Sequence, residues 1–207
     1  MITWAIQSRP GAGECLATRG PEMLRALLAS PPDEQLATLQ NCRALHHALF
    51  HDMAPTDLPE AAGTWRGTPD TALEHVARVV YVSRQAPGLR RRDPCAPAAD
   101  VGMRMVRLAG SIGALWDRDT RLTEPDALRH LAGFLAEFFA IHPFLDGNGH
   151  VARILAVVLA QRLGLSCSPG WTIHPRPYSH MMSLCLQWHA AHPDLLQDHL
   201  GRWFRNP

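Results

Sequence analysis

Two stretches constrain the fold of this 207-residue chain more than any others. Residues 131–141 read LAGFLAEFFAI and residues 150–164 read HVARILAVVLAQRLG. Both have the length and composition of helices, and both are apolar on nearly every side. A helix with no polar face cannot lie on a surface, so both must run through the interior. The first is expected to start at Thr123, a good N-cap, with Pro125 in the first turn, where a missing N–H costs little. Gly164 closes the second. Between the two lies only HPFLDGNG, residues 142–149, and whatever that loop holds must sit at the ends of two buried helices.

Helical periodicity also marks residues 21–29, 33–53, 99–116, 178–191 and 194–205. The stretch 54–70 is too rich in Pro and Gly to be anything but loop. Residues 78–97 differ, because RVVYVSR has β-branched and aromatic strand chemistry and a second extended run follows an Ala-Pro-Gly turn. The reading is an all-α body with one small β-hairpin, Arg90, Arg91 and Arg92 at its tip. Residues 1–35 form an N-terminal helical extension and residues 36–207 the main domain.

Composition narrows the function. Hydrophobic residues make up 46% and charged residues 19%, the balance of a globular chain with its own core. A net charge of +1 gives no electrostatic case for direct binding of nucleic acid or an anionic membrane. No apolar run is long enough to span a bilayer, and the N-terminus has no signal-peptide pattern. The five cysteines form no CxxC pair, which points to a reducing, cytoplasmic setting. All 20 basic residues are arginine. That fits a GC-rich coding bias, or a protein delivered to a host cytosol where lysine is the ubiquitin acceptor.

The loop carries its own chemistry. Gly147 and Gly149 allow successive N–H groups to converge on an anion, and the helix that starts beside them adds its dipole. A carboxylate at Asp146 would repel a phosphate unless Mg²⁺ lay between them, and Mg²⁺ commonly takes one carboxylate plus phosphate oxygens. His142 ends the preceding helix and suits a general base. Arg153, one turn on, can reach a distal phosphate. Phe144 reads as a core plug.

HPFLDGNGHVAR closely resembles the signature of the Fic family, His-Pro-Phe-x-Asp/Glu-Gly-Asn-Gly-Arg-x-x-Arg, and differs from it only at His150. CRALHHALFHD followed by AAGTWRG resembles that family's early helix and Ala-Gly-x-x-Arg turn. The hairpin lies where the family carries its target-docking flap, and Tyr178 falls near a Tyr of its closing helices. The resemblance spans roughly residues 36–200.

It implies a Fic-fold helical bundle that transfers AMP from ATP to a Ser, Thr or Tyr hydroxyl of a target protein, as bacterial toxins and effectors do. His142 would take the hydroxyl proton and Asp146 would hold Mg²⁺. Gly147, Asn148 and Gly149 would cradle the phosphates, with His150 at the usual arginine's place and Arg153 at the far end. Val80, Tyr81, Val82 and Ser83 would dock the target as an added strand.

Histidine at position 150 offers fewer donors than arginine and is mostly neutral at pH 7. Three readings stay open: AMP transfer with an altered phosphate grip, transfer from another phosphate-containing donor (UMP, phosphocholine or phosphoryl), and a non-catalytic nucleotide- or partner-binding module. The family's inhibitory pattern, Ser/Thr-x-x-x-Glu-Gly/Asn, is matched only in its first half by Thr18–Glu22 and Ser30–Glu34, both with helix-breaking residues inside. No built-in inhibitory helix is expected, and control falls to a separate small inhibitory protein, an antitoxin, or to none. His47 and His51, with His46 beside them, have i, i+4 metal-ligand spacing. Chance pairing among 12 histidines is the stronger explanation.

Overall fold

The computed structural model describes residues 4–81, 92–117, 122–178, 182, 185, 186 and 189–207. Within them the chain forms α1 (Ala12–Ala29), α2 (Pro32–Gln40), α3 (Arg43–Phe50), α4 (Ala98–Trp116), α5 (Glu124–Ile141), α6 (Asn148–Arg162) and α7 (Pro193–Leu200). Two short antiparallel ladders accompany them, β1 (Val79–Tyr81) with β2 (Arg92–Pro94), and β3 (Ser166–Cys167) with β4 (Phe204–Arg205). No helix among the described residues is long and apolar enough to cross a membrane.

The two apolar stretches are the central pair, α5 and α6. Thr123 caps α5 as its sequence requires, its hydroxyl accepting from the Asp126 N–H. Along α6 every residue from His150 to Ala160 is buried. A fully buried Val, Leu or Ile contributes about 1.5–3 kcal/mol, so this helix anchors the core. Helix α5 packs on α4, α6 and α7, while α1 packs on α3 and α6 and α2 lies against α4.

Three boundaries differ from the sequence reading. Residues 33–53 are not one helix, because α2 stops at Asn41 and α3 starts two residues later. The Asn41 side-chain oxygen accepts from the Arg43 N–H and Nε, and this local bond competes with the helix. Conversely, Gly20 and Pro21 do not break α1, which runs through both. Leu16 and Gly20 bury one face of α1, and Ile173 sits so close to Gly20 that a Cβ there would lie 2.7 Å from its Cγ2. Tertiary packing overrides the local propensity. The helix expected over 194–205 ends at Leu200, and Phe204 and Arg205 instead form β4, which pairs Ser166 with Arg205 and Cys167 with Phe204 and had no signal in the sequence.

The hairpin is present in the expected register region, with Val79 opposite Pro94, Val80 opposite Asp93 and Tyr81 opposite Arg92. Arg92 therefore lies in β2, not at the tip. Val82, Ser83, Arg90 and Arg91 lie outside the described residues, as does half of the helix expected over 178–191.

Candidate active site

The site forms at the turn between α5 and α6. Helix α5 ends at His142, which adopts a left-handed conformation with φ of 52°. A β-carbon residue rarely holds that conformation unless its surroundings impose it. Here the surroundings are Arg66, fully buried and 76 residues upstream. Its guanidinium donates to the carbonyls of Ile141 (2.8 Å), His142 (2.9 Å), Val76 (2.9 Å) and Ala96 (3.2 Å). The Arg66 N–H also donates to Pro143 O at 2.8 Å. Arg66 thus ties the end of α5, the base of the hairpin and the preceding loop to one group.

The His142 Nδ1 is buried and has no hydrogen-bond partner. Burial pushes the imidazole down to about 3, with Arg78 and Arg66 adding to the effect and the Phe139 carbonyl opposing it. At neutral pH the ring is therefore uncharged, and one of its two nitrogens carries no proton.

Phe144, fully buried, stacks on His46 with centroids 3.8 Å apart. Asn148 turns its side chain inward: Oδ1 accepts from the Phe144 N–H and Nδ2 donates to Phe144 O, both at 2.9 Å. Any contribution from Asn148 to an anion therefore comes from its main chain. The first N–H groups of α6 have no intrahelical acceptor and remain free to serve one.

His46 braces the loop, a place the sequence reading did not give it. Its Nδ1 accepts from the Gly63 N–H and its Nε2 lies 2.9 Å from Asp146 O. Accepting at Nδ1 places the proton on Nε2, which donates to Asp146. Burial pushes this ring down to about 4, so it stays neutral in that tautomer. His47 and His51 stack on each other, exposed, with centroids 5.4 Å apart. No cluster of three metal-capable side chains occurs among the described residues.

The Asp146 carboxylate accepts two main-chain N–H groups, Gly147 at Oδ1 (2.8 Å) and Ile6 at Oδ2 (2.9 Å). Each oxygen keeps a lone pair for a cation. A single oriented carboxylate beside an anion cradle fits Mg²⁺ arriving with a phosphate, and does not fit a resident zinc.

Gly147 carries φ of 77°, and a Cβ there would lie 2.5 Å from Phe50 Cε2 and 3.0 Å from His46 Nε2. Gly147→Ala is expected to cost on the order of 3 kcal/mol and to abolish binding at the cradle. Thermal unfolding and nucleotide titration check both, and an unchanged melting temperature would refute the steric argument.

A cleft of about 490 Å³ opens beside the loop, within the range of small-molecule sites. Asp146, Gly147, Gly149, His150 and Arg153 line it, together with Ile6, Gly13 and Leu16 from the N-terminal region and His174, Pro175 and Arg176 from the loop after β3. His142, Phe144 and Asn148 do not. Arg153 is almost fully buried, donating from Nε to Ile173 O at 2.8 Å and from Nη1 to the Tyr178 hydroxyl at 3.4 Å. Glu22, the acid of the half-matched inhibitory pattern, is exposed on α1.

A helical body whose central pair presents a histidine, an oriented carboxylate and a glycine turn between them is the arrangement of a transferase fold. The sequence model of the Fic/DOC family matches residues 36–160, and the chain belongs to that family. Three solved structures share its fold. One is the N-terminal Fic domain of a cell filamentation protein, a VirB-translocated Bep effector from Bartonella quintana, 20% identical over 93% of this chain and 81% of that one, with TM-score 0.64. Another is the effector BepC from Bartonella tribocorum with bound AMPPNP, 16% identical over 94% and 86%, TM-score 0.66. A Fic family protein from Desulfovibrio desulfuricans G20 is 15% identical over 94% and 64%, TM-score 0.52. At these identities the likeness concerns the fold. None of the curated proteins matches the sequence.

Proposed function

We propose that the protein is an adenylyltransferase that moves AMP from ATP to a Ser, Thr or Tyr hydroxyl of a target protein. The observation that carries this reading is His142, an uncharged imidazole held at one end of a loop whose other end is the cradle and Asp146. The AMPPNP in the Bartonella tribocorum relative supports a nucleotide as donor.

In this mechanism the target oxygen attacks the α-phosphorus in line while its proton passes to the His142 imidazole. The new O–P bond forms as the bond to the β-phosphate oxygen breaks, and pyrophosphate leaves. The charge of the bound triphosphate opposes that of Arg66 and Arg78 and raises His142 toward the range of an effective base. The N–H groups of Asn148 and Gly149 orient the phosphates, that of Gly147 being engaged by Asp146, with Arg153 at the distal end. Bound Mg²⁺, held by Asp146, would neutralise phosphate charge. The edge of the hairpin, including Val80 and Tyr81, would add the target segment as a strand. The translocated relatives make a host-directed effector the matching biological role. A separate inhibitory protein would then restrain it in the producing bacterium.

The test is incubation of purified protein with Mg²⁺, α-phosphate-labelled ATP and cell lysate. Label transfer is expected for the wild type, with a drop of at least about 10³-fold for His142→Ala. Transfer that persists without His142 would refute the mechanism. A second reading, a different phosphate-containing donor, is favoured by His150 standing where arginine is usual. Label from another donor, with none from ATP, would select it. Nucleotide binding without any transfer would leave a binding module.

A further inference from the structure

The departure at position 150 has a counterpart elsewhere in the fold. His150 is buried, and its Nε2 lies 3.1 Å from Nδ1 of His174. The two rings are nearly parallel, 18° apart with centroids at 5.4 Å. His174 lines the same cleft from the loop after β3, which is fixed at several points. Arg153 holds Ile173 O from α6, Ile173 packs against Gly20 of α1, and the Thr172 hydroxyl donates to Pro175 O. Phe50 sets its edge against His150 from the remaining side. Neither imidazole can move far without breaking this frame.

Two ring nitrogens at hydrogen-bond distance share one proton. In the neutral pair, one further proton sits on one outer nitrogen, either His150 Nδ1 or His174 Nε2. The pair therefore offers a single outer donor and no charge. Taking up one proton changes this at once: both outer nitrogens become donors, and one positive charge is spread over two rings. That product is an approximation to what a guanidinium provides permanently.

The charged and titratable groups around the pair, among the described residues, are few. Arg153 acts on both rings from α6, His46 lies near His150 from α3, and Arg176 follows in the His174 loop. Asp146 is the acidic residue lining the cleft, and the lining from the N-terminal region, Ile6, Gly13 and Leu16, carries no charge. Burial and the neighbouring arginine hold His150 down to about 3 and keep His174 below its ordinary value. The empty cleft therefore holds a neutral pair. A phosphate in it supplies the negative charge that makes protonation favourable.

We propose that His150 and His174 form one phosphate-binding unit that replaces the arginine expected at position 150 and takes a proton from solvent when a donor's phosphates bind. His174 is then a donor-binding residue of this chain, contributed from outside the signature. The proposal rests on the reading of the cleft as a phosphate site and is tested by binding, independently of transfer.

The experiment is calorimetric titration of MgATP, and separately of Mg-pyrophosphate, at pH 7.5 in buffers of different ionisation heat. The wild type is expected to take up close to one proton per ligand bound. His142→Ala, which stops turnover, is expected to take up the same amount, which removes His142 as the source. His174→Gln keeps a hydrogen-bonding side chain but cannot become charged. It is expected to lose the uptake and to bind about tenfold to a hundredfold more weakly, the range for losing a charge-assisted hydrogen bond. His150→Arg is expected to bind with no uptake. His174→Ala, with a melting temperature measured beside it, guards against a folding defect in the Gln variant.

Uptake near zero in the wild type, or undiminished in His174→Gln, would overturn the proposal. So would unchanged affinity in both His174 variants. Proton-linked binding of pyrophosphate with no AMP transfer would sustain the proposal and overturn the adenylyltransferase reading. No binding of either ligand would overturn both.

Discussion

Replacing Arg66 with methionine is expected to destabilise the protein by about 3–5 kcal/mol and to lower its melting temperature by about 10 °C. Methionine fills much of the space but donates nothing. The carbonyls of Ile141, His142, Val76 and Ala96 would all be left without their present donor. Removing the guanidinium also removes its desolvation cost, which burial imposes by pushing its pKa down. The carbonyls decide the sign, because a buried acceptor deprived of its partner costs about 1–3 kcal/mol and several are affected together. Arg66→Lys, with fewer donors and no fork, is expected to fall between the two. Since the His142 main chain is one of the groups held, whatever transfer activity the protein has should fall more in kcat than in donor KM. A melting temperature within about 2 °C of wild type would show that the loop holds itself.

The second large effect is loss of stability in mild acid. His46, His142 and His150 are held down to about 4, 3 and 3, each chiefly by burial. In the unfolded chain all three titrate near 6.5. Between those values the unfolded state binds more protons, so stability rises with pH across the window. It is fully present above about pH 6.5 and is lost as the pH falls towards 4. With the three groups acting together the slope reaches about 4 kcal/mol per pH unit in the middle of that range. Asp52, held to about 2 by Arg19, keeps its contribution until lower pH and does not mask the effect. Urea midpoints measured from pH 7.5 to 4.5 check this. His46→Phe should remove about one proton from the slope, and a flat profile would contradict the burial of neutral imidazoles.

The parts of the fold legible in the sequence are those with local causes. The apolar runs place α5 and α6 in the core, Thr123 marks a helix start, and the strand chemistry of residues 78–81 marks a hairpin. The parts that were not legible depend on partners far along the chain. His46 reads as one of several histidines until the Asp146 carbonyl, 100 residues away, is seen to need its proton. Arg66 belongs to a recognisable turn, yet nothing local says that its donors all serve main-chain carbonyls. His174 stands between Ile173 and Pro175 in an irregular loop, and only the fold brings it to His150. The turn that carries Asp146 and Gly147 could be read because its residues are adjacent in sequence. Its supports could not, because a support needs only to be close in space.

The bond from the Ile6 N–H to the Asp146 carboxylate makes one amide a reporter on the cation site. Ile6 is almost fully buried, and Trp4 beside it is fixed by a bond from its indole to Met53 O. Its amide proton should therefore exchange slowly with solvent, although it lies only six residues into the chain. A divalent ion drawing charge from the carboxylate weakens what that amide holds. Its exchange rate and chemical shift would then follow occupancy of the site directly, without labelled donor, target protein or turnover.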